Sequence, residues 1–333
     1  MADKSALVSP ADSDTENVQY LPVQLDYLRL EHAAPMDLYI QPAPGQPFVL
    51  YCEKNLQFTN SARLSLIKNN ITQLYIPKQH FREYQRYLNE HLLDILRDNI
   101  LPVQEKASIL YSAAQGVAQD ILEQPGKRDT VQVGKKMAGM TVGFLKRSDF
   151  VLEHFLHVIS DDYYLFTHSI NVVGYSVLLA IQAGYKDDAL LREIANGALL
   201  HDIGKTQLPR ELMTRKGSLR KEEWLIMQQY PRLGYELMHK HDCLGEIALD
   251  IILHHQEKLQ GQGYPDKITG DTISPYVRIV TIADIFDALT TDRPYQRGVS
   301  TFEALRTMRE TLHGEIDMTL FRHLISLLGK SPR

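Results

Sequence analysis

Cysteine is nearly missing. The 333 residues hold two, Cys52 and Cys243, far apart and without the spacing of a metal-binding pair. That excludes a disulfide framework and fits a reducing compartment, so the chain is expected to be cytoplasmic. No apolar run reaches the length of a membrane span, which predicts no membrane association. The first residues, Met1 to Glu16, are polar and rich in Ser and Asp. They read as neither a signal peptide nor an anchor, but as a disordered lead-in. Positive charge is not in excess either. The formal net charge is -5 and the pI about 6.2, so a broad nucleic-acid surface is not expected. Beyond residue 160 strand signals are scarce as well.

What is present divides the chain. Residues 1–20 are the lead-in and residues 21–100 a small α+β domain. Asp37 to Ile40, Phe48 to Cys52 and Gln73 to Ile76 read as strands, with Pro and Gly between the first two and Pro77 closing the third. Ser61 to Lys68 reads as a helix. Phe81, Tyr84, Tyr87, Leu88, Leu92, Ile95 and Leu96 recur at helical spacing. Residues 101–160 form a helical connector, with helices from Val103 to Leu122, Val131 to Phe144 and Phe150 to Ile159. Residues 161–333 read as helical throughout. The expected fold is therefore mainly α, an all-helical domain preceded by a small α+β domain that carries no catalytic constellation.

The helical part contains the chemistry. An apolar helix from Asp187 to Leu200 ends in His201-Asp202-Ile203-Gly204-Lys205. Gly204 is expected to end that helix in the left-handed conformation open to glycine. An imidazole, a carboxylate and an amine at one helix end suit a metal ion acting on phosphate. Alone, a His-Asp pair is more often a surface pair. His168 lies in the middle of another apolar helix, where a histidine is usually a core residue bonded to a carbonyl. Asp284 sits in the apolar run Arg278 to Leu289, where a charge is costly unless a cation or hydrogen bonds meet it. Asp287 is the alternative at that turn. Two imidazoles and two carboxylates from three helices suit iron, manganese or zinc rather than calcium.

The order His168, His201-Asp202, Asp284 resembles the HD superfamily of metal-dependent phosphohydrolases. Three stretches narrow the resemblance to the HD-GYP family. They are the HDxGK form at His201 to Lys205, the GYP loop at Gly263-Tyr264-Pro265, and Asp284 to Tyr295, similar to DxxDALTSxRPY. The resemblance covers about Asp161 to Leu312. It implies an HD-type helical domain and metal-assisted attack of hydroxide on a phosphodiester, the substrate being cyclic di-GMP or a related nucleotide. It implies a first divalent metal (Fe, Mn or Zn) on His168, His201, Asp202 and Asp284. It gives Asp202 and Lys205 catalytic roles, and Lys205, Tyr264, Arg293 and Arg297 substrate contacts. By the family's habits the N-terminal domain is regulatory, GGDEF-type signalling proteins are partners, and a homodimer is an option.

The chain departs from the family at the second metal. The His of the family's His-Pro-x-x-Gly motif is Tyr230, and the His-His pair ahead of the loop aligns with His255 and Gln256. His254 and His255 remain as further candidate ligands, so the second site is doubtful. Tyr164 stands where members with a third metal carry Glu, so no third metal is expected. Two other readings stay open: a weak or inactive member that binds the nucleotide or a protein, and a single-metal phosphohydrolase acting on another nucleotide.

Overall fold

The structure, a computed structural model, describes residues 18–28, 32–43, 45–99, 101–147, 167–215, 217–291 and 297–329. The lead-in up to residue 17, the expected helix Phe150 to Ile159, and Tyr164 and Arg293 fall outside these residues. The chain divides into two units, 1–91 and 92–333.

The first unit is a four-stranded antiparallel sheet with helices. Strands β1 (Tyr20–Gln24), β2 (Leu38–Ile40), β3 (Val49–Cys52) and β4 (Gln73–Pro77) lie in the order β1-β4-β2-β3. β1 was not expected. Pro22 and a single buried residue, Val23, give it no alternating pattern; it exists because it pairs with β4 from Tyr20↔Pro77 to Gln24↔Gln73. Pro is tolerated on such an edge strand, where its missing N–H is not needed. Helix α1 (Asn60–Lys68) is capped by Thr59, whose hydroxyl accepts from the Ala62 N–H. Val23, Leu38, Phe58, Leu74, Ile76 and Leu88 are buried as its core. Helix α2 (Phe81–Arg97) runs across the division.

The second unit is helical, with no strand among the described residues. Helices α3 (Val103–Glu123) and α4 (Arg128–Leu145) are followed by α5 (Thr167–Gln182) and α6 (Asp188–Leu200). α5 is buried over nearly its whole length, from Thr167 to Ala180. A helix apolar on all sides must sit inside the bundle, and α5 packs against α6 and α3. A 3-10 turn, Ile203–Gln207, follows α6. Then come α7 (Arg210–Thr214), α8 (Lys221–Met227), α9 (Tyr230–Lys240), α10 (Glu246–His254) and α11 (Pro275–Thr290), with α12 (Thr301–Thr311) and α13 (Met318–Leu328) last. α11 packs on α5, α10 on α6, and α9 on the 3-10 turn, so three of the site's segments converge. No helix among the described residues is long and apolar enough to cross a membrane.

Candidate metal centre

α6 begins at Asp187, whose carboxylate accepts from the Leu190 N–H, and ends at His201. His201 donates Nδ1–H to the Ala198 carbonyl one turn back, at 2.7 Å. That bond fixes the tautomer and leaves the Nε2 lone pair aimed into the bundle. His201 is fully buried and its Nε2 has no hydrogen-bond partner. A buried lone pair without a partner is costly, and here it faces two carboxylates. It lies 3.5 Å from Asp202 Oδ2 and 3.9 Å from Asp284 Oδ1.

His168 comes in from α5. Its Nε2 is 3.3 Å from Asp284 Oδ1 and 3.7 Å from Asp202 Oδ2. Its Nδ1 is 2.7 Å from Asp287 Oδ2. The choice left open in the sequence is thus decided by helix phase. Asp284 faces the cluster, while Asp287, three residues on, lies behind His168 and orients it. Asp287 Oδ1 accepts from Asn171 Nδ2 at 2.8 Å and from Thr291 Oγ1 at 2.9 Å, and Asn171 Oδ1 accepts from the Tyr111 hydroxyl at 2.6 Å. Asn171, Tyr111 and Thr291 were missed in the sequence. The one available signal was Asn171 itself, a polar residue one turn beyond a histidine in an apolar helix. This carboxylate–histidine arrangement is the usual outer support of a metal ligand.

The four inter-ligand distances, 3.3 to 3.9 Å, can be tested against a metal. Ligands at about 2.1 Å in a tetrahedron are about 3.4 Å apart. His168, His201, Asp202 and Asp284 therefore fit a divalent ion, and the unpartnered Nε2 of His201 is the group such an ion would satisfy. The protonation states agree. Burial alone would lower the His168 pKa, but Asp284 and Asp287 raise it to about 10. Burial pushes Asp202 up, yet its basic neighbours, Lys205 first among them, hold it well below the usual carboxylate range. Asp284 is likewise held low against its burial, chiefly by His168. The two carboxylates are thus anions, and an ion bound by His168 would displace the proton that this ring otherwise carries.

Lys205 Nζ is 2.5 Å from Asp202 Oδ2 and 4.9 Å from the centre of the Tyr230 ring. Gly204 does not take the left-handed conformation expected of it. Its role is close approach: a Cβ there would lie 1.9 Å from the Tyr230 carbonyl oxygen, and one on Gly234 would lie 3.1 Å from Gly204 N. The glycines of the two motifs let α9 touch the His-Asp turn.

The remaining candidates separate. His255 is fully buried beside the cluster, with Nε2 4.0 Å from Asp202 Oδ1. His254 turns away; its Nδ1 meets Asp250 at 2.6 Å and its Nε2 meets Asp266 at 3.2 Å. Adjacent residues on a helix cannot share one face, so α10 delivers only His255. Gln256 donates to Asp284 Oδ2 at 3.0 Å and accepts from the Tyr264 hydroxyl at 3.3 Å. The loop holding Tyr264 is not the ordinary turn its glycines suggest. A Cβ on Gly263 would lie 2.4 Å from Glu257 Cα, and Glu257 Oε1 accepts from the N–H groups of Asp266 and Lys267. Arg297 is exposed beyond α11. A cleft of about 300 Å³ reaches the cluster, lined by Leu122, His168, Ser169, Asp202, Lys205, Thr206 and Met213.

Residues 157–320 match the HD domain family. Nearly half of the chain is therefore an HD domain. It is 33% identical over 173 residues to a cyclic di-GMP phosphodiesterase of Pseudomonas aeruginosa, covering 52% of this chain and 41% of that protein. It is 37% identical over 165 residues to a 3'3'-cGAMP-specific phosphodiesterase of Vibrio cholerae, covering 50% of this chain and 35% of that one. The chain thus spans less than half the length of these curated relatives. An HDG"Y"P protein from Bdellovibrio bacteriovorus shares the fold, with TM-score 0.66 over 93% of this chain and 100% of that one, at 22% identity.

Proposed function

We propose that the HD domain is a metal-dependent phosphodiesterase for a cyclic dinucleotide, cyclic di-GMP first among them. The observation that carries this is the buried cluster of His168, His201, Asp202 and Asp284 at ion-binding separations, with His201 Nε2 unpartnered and a cleft beside it. These four residues would hold a divalent ion, which would polarise a phosphate oxygen and lower the pKa of a water. Asp287 keeps the His168 lone pair on the ion's side by holding the other ring nitrogen. Lys205, partly exposed on the cleft, is placed to neutralise a phosphate oxygen once substrate draws it from Asp202. Tyr264 and the basic residues Arg293 and Arg297 complete the substrate contacts in this reading. The named activities of the relatives support the substrate class.

GGDEF-type signalling proteins and a second copy of the chain are the partners that belong with this reading. A domain that binds the nucleotide without cutting it is the second reading, favoured by the Gln256 amide that donates to Asp284 where the family supplies an imidazole.

The test is cyclic di-GMP hydrolysis by protein purified without oxygen and loaded with Fe²⁺ or Mn²⁺, beside Asp202→Ala. Turnover that disappears in Asp202→Ala supports the proposal. Nucleotide binding without turnover transfers the case to the second reading, and neither binding nor turnover overturns both.

A further inference from the structure

The second metal position implied by the family is closed by hydrogen atoms in this chain. His255 directs Nδ1–H toward the carbonyls of Ile251 and Ile252, at 3.2 and 3.0 Å. Its Nε2 is therefore the lone pair, and the Tyr230 hydroxyl donates to it at 2.7 Å. A neutral phenol is a poor ligand for a divalent ion. Gln256 acts in the same sense, giving an N–H to Asp284 rather than a lone pair to an ion.

Tyr230 has little freedom to leave. It is 2% exposed, its carbonyl is pressed against Gly204, and Pro231 follows at the first turn of α9. The Lys205 ammonium is 4.9 Å from its ring centroid, and the Tyr264 ring meets it edge-on at 6.3 Å. The ammonium sits 2.5 Å from the same Asp202 oxygen that faces His168 and His201.

We propose that Tyr230 is a built-in plug: its hydroxyl occupies the His255 lone pair and limits the centre to one divalent ion, held by His168, His201, Asp202 and Asp284. This rests on the reading of those four residues as a metal site. It assigns His255 a structural place and Tyr230 a positioning one.

The experiment is metal counting by elemental analysis after anaerobic loading with Fe²⁺ and gel filtration. The expected result is one ion per chain in the wild type and two in Tyr230→His, where a lone pair replaces the hydroxyl hydrogen and His255 is released. His255→Gln, which keeps an acceptor for Tyr230, is expected to hold one ion still. Two ions in the wild type overturn the proposal, as does loss of the ion in His255→Gln. A Tyr230→His protein with native circular dichroism that stays at one ion also overturns it. Should Tyr230→His not fold, the wild-type count and His255→Gln decide. No ion in the wild type removes the first site, and the proposed phosphodiesterase with it, and so is told apart from a failure of the plug alone.

Discussion

Asp287 shows how much one carboxylate can control without touching the reacting centre. Its Oδ1 already accepts two hydrogens, from Asn171 and Thr291, and its Oδ2 meets His168 Nδ1. An Asn in its place must put its carbonyl oxygen toward those two donors. The amide NH₂ then faces Nδ1, which can only accept. The His168 proton moves to Nε2 and covers the lone pair a metal needs. Asp287→Asn is therefore expected to weaken metal binding about 10–100-fold, the usual cost of losing an outer-shell partner. Equilibrium dialysis with Mn²⁺ measures it; unchanged affinity would show that the tautomer is set elsewhere. At the same scale, His201→Ala is expected to abolish bound metal, because its Nε2 is a buried lone pair with no hydrogen-bond partner that faces both carboxylates. Elemental analysis of the purified variant reads this directly.

Between elements, the contact of the His-Asp turn with α9 is made backbone to backbone. A Cβ on Gly204 meets the Tyr230 carbonyl oxygen, which cannot rotate away as a side chain would. Gly204→Ala is expected to lose about 2–3 kcal/mol, the upper part of the overpacking range, in urea unfolding followed by circular dichroism. It should also loosen the Tyr230–His255 bond, since Tyr230 opens α9. The N-terminus of α13 supplies a pH-dependent case. Asp317 accepts from the N–H groups of Thr319 and Leu320 and from Arg278 Nη1 at 3.2 Å. Burial opposes its ionisation, but the Leu320 N–H, Arg278 and the Thr319 N–H win, and its pKa is lowered. A carboxyl depressed in the folded state stabilises above its ordinary pKa, about 4, and loses that contribution as the pH falls through the native value. Asp317→Asn still caps the helix, so its cost is the lost charge, about 1 kcal/mol at neutral pH. That cost should shrink steadily below about pH 4. A difference between wild type and variant that stays constant from pH 7 to pH 2.5 would contradict the assignment.

At the level of the whole molecule, the chain is two compact units, and the metal candidates among the described residues lie in the second. A ligand that binds only the folded state stabilises by about 2.7 kcal/mol at one hundred times its Kd. For a helical unit of this size that raises Tm by roughly 5–10 °C. Calorimetry with and without Mn²⁺ should show that shift in the transition of residues 92–333 and none in that of residues 1–91. EDTA should reverse it. A metal-dependent shift in both transitions would mean that the ion is read by the first unit as well.

Local rules were enough for much of this. The 3.6-residue periodicity and the Pro and Gly breaks located most of the helices, because apolar faces and capping act within a few residues. The order of His168, His201-Asp202, Asp284 and the GYP loop marked the family and the first set of candidate ligands. Strand β1 was not legible, since its only support is the partner strand. Nor was the choice between Asp284 and Asp287, or between His254 and His255. Each is a question of helix phase against a neighbouring element, settled only when α5, α6, α10 and α11 pack around one point. Gly204 was legible as necessary but for the wrong reason; its need comes from α9, brought against it by folding. The direction of a single hydrogen, from Tyr230 to His255, was beyond the sequence altogether. It depends on which carbonyls hold the far side of the imidazole, and tertiary packing alone puts them there.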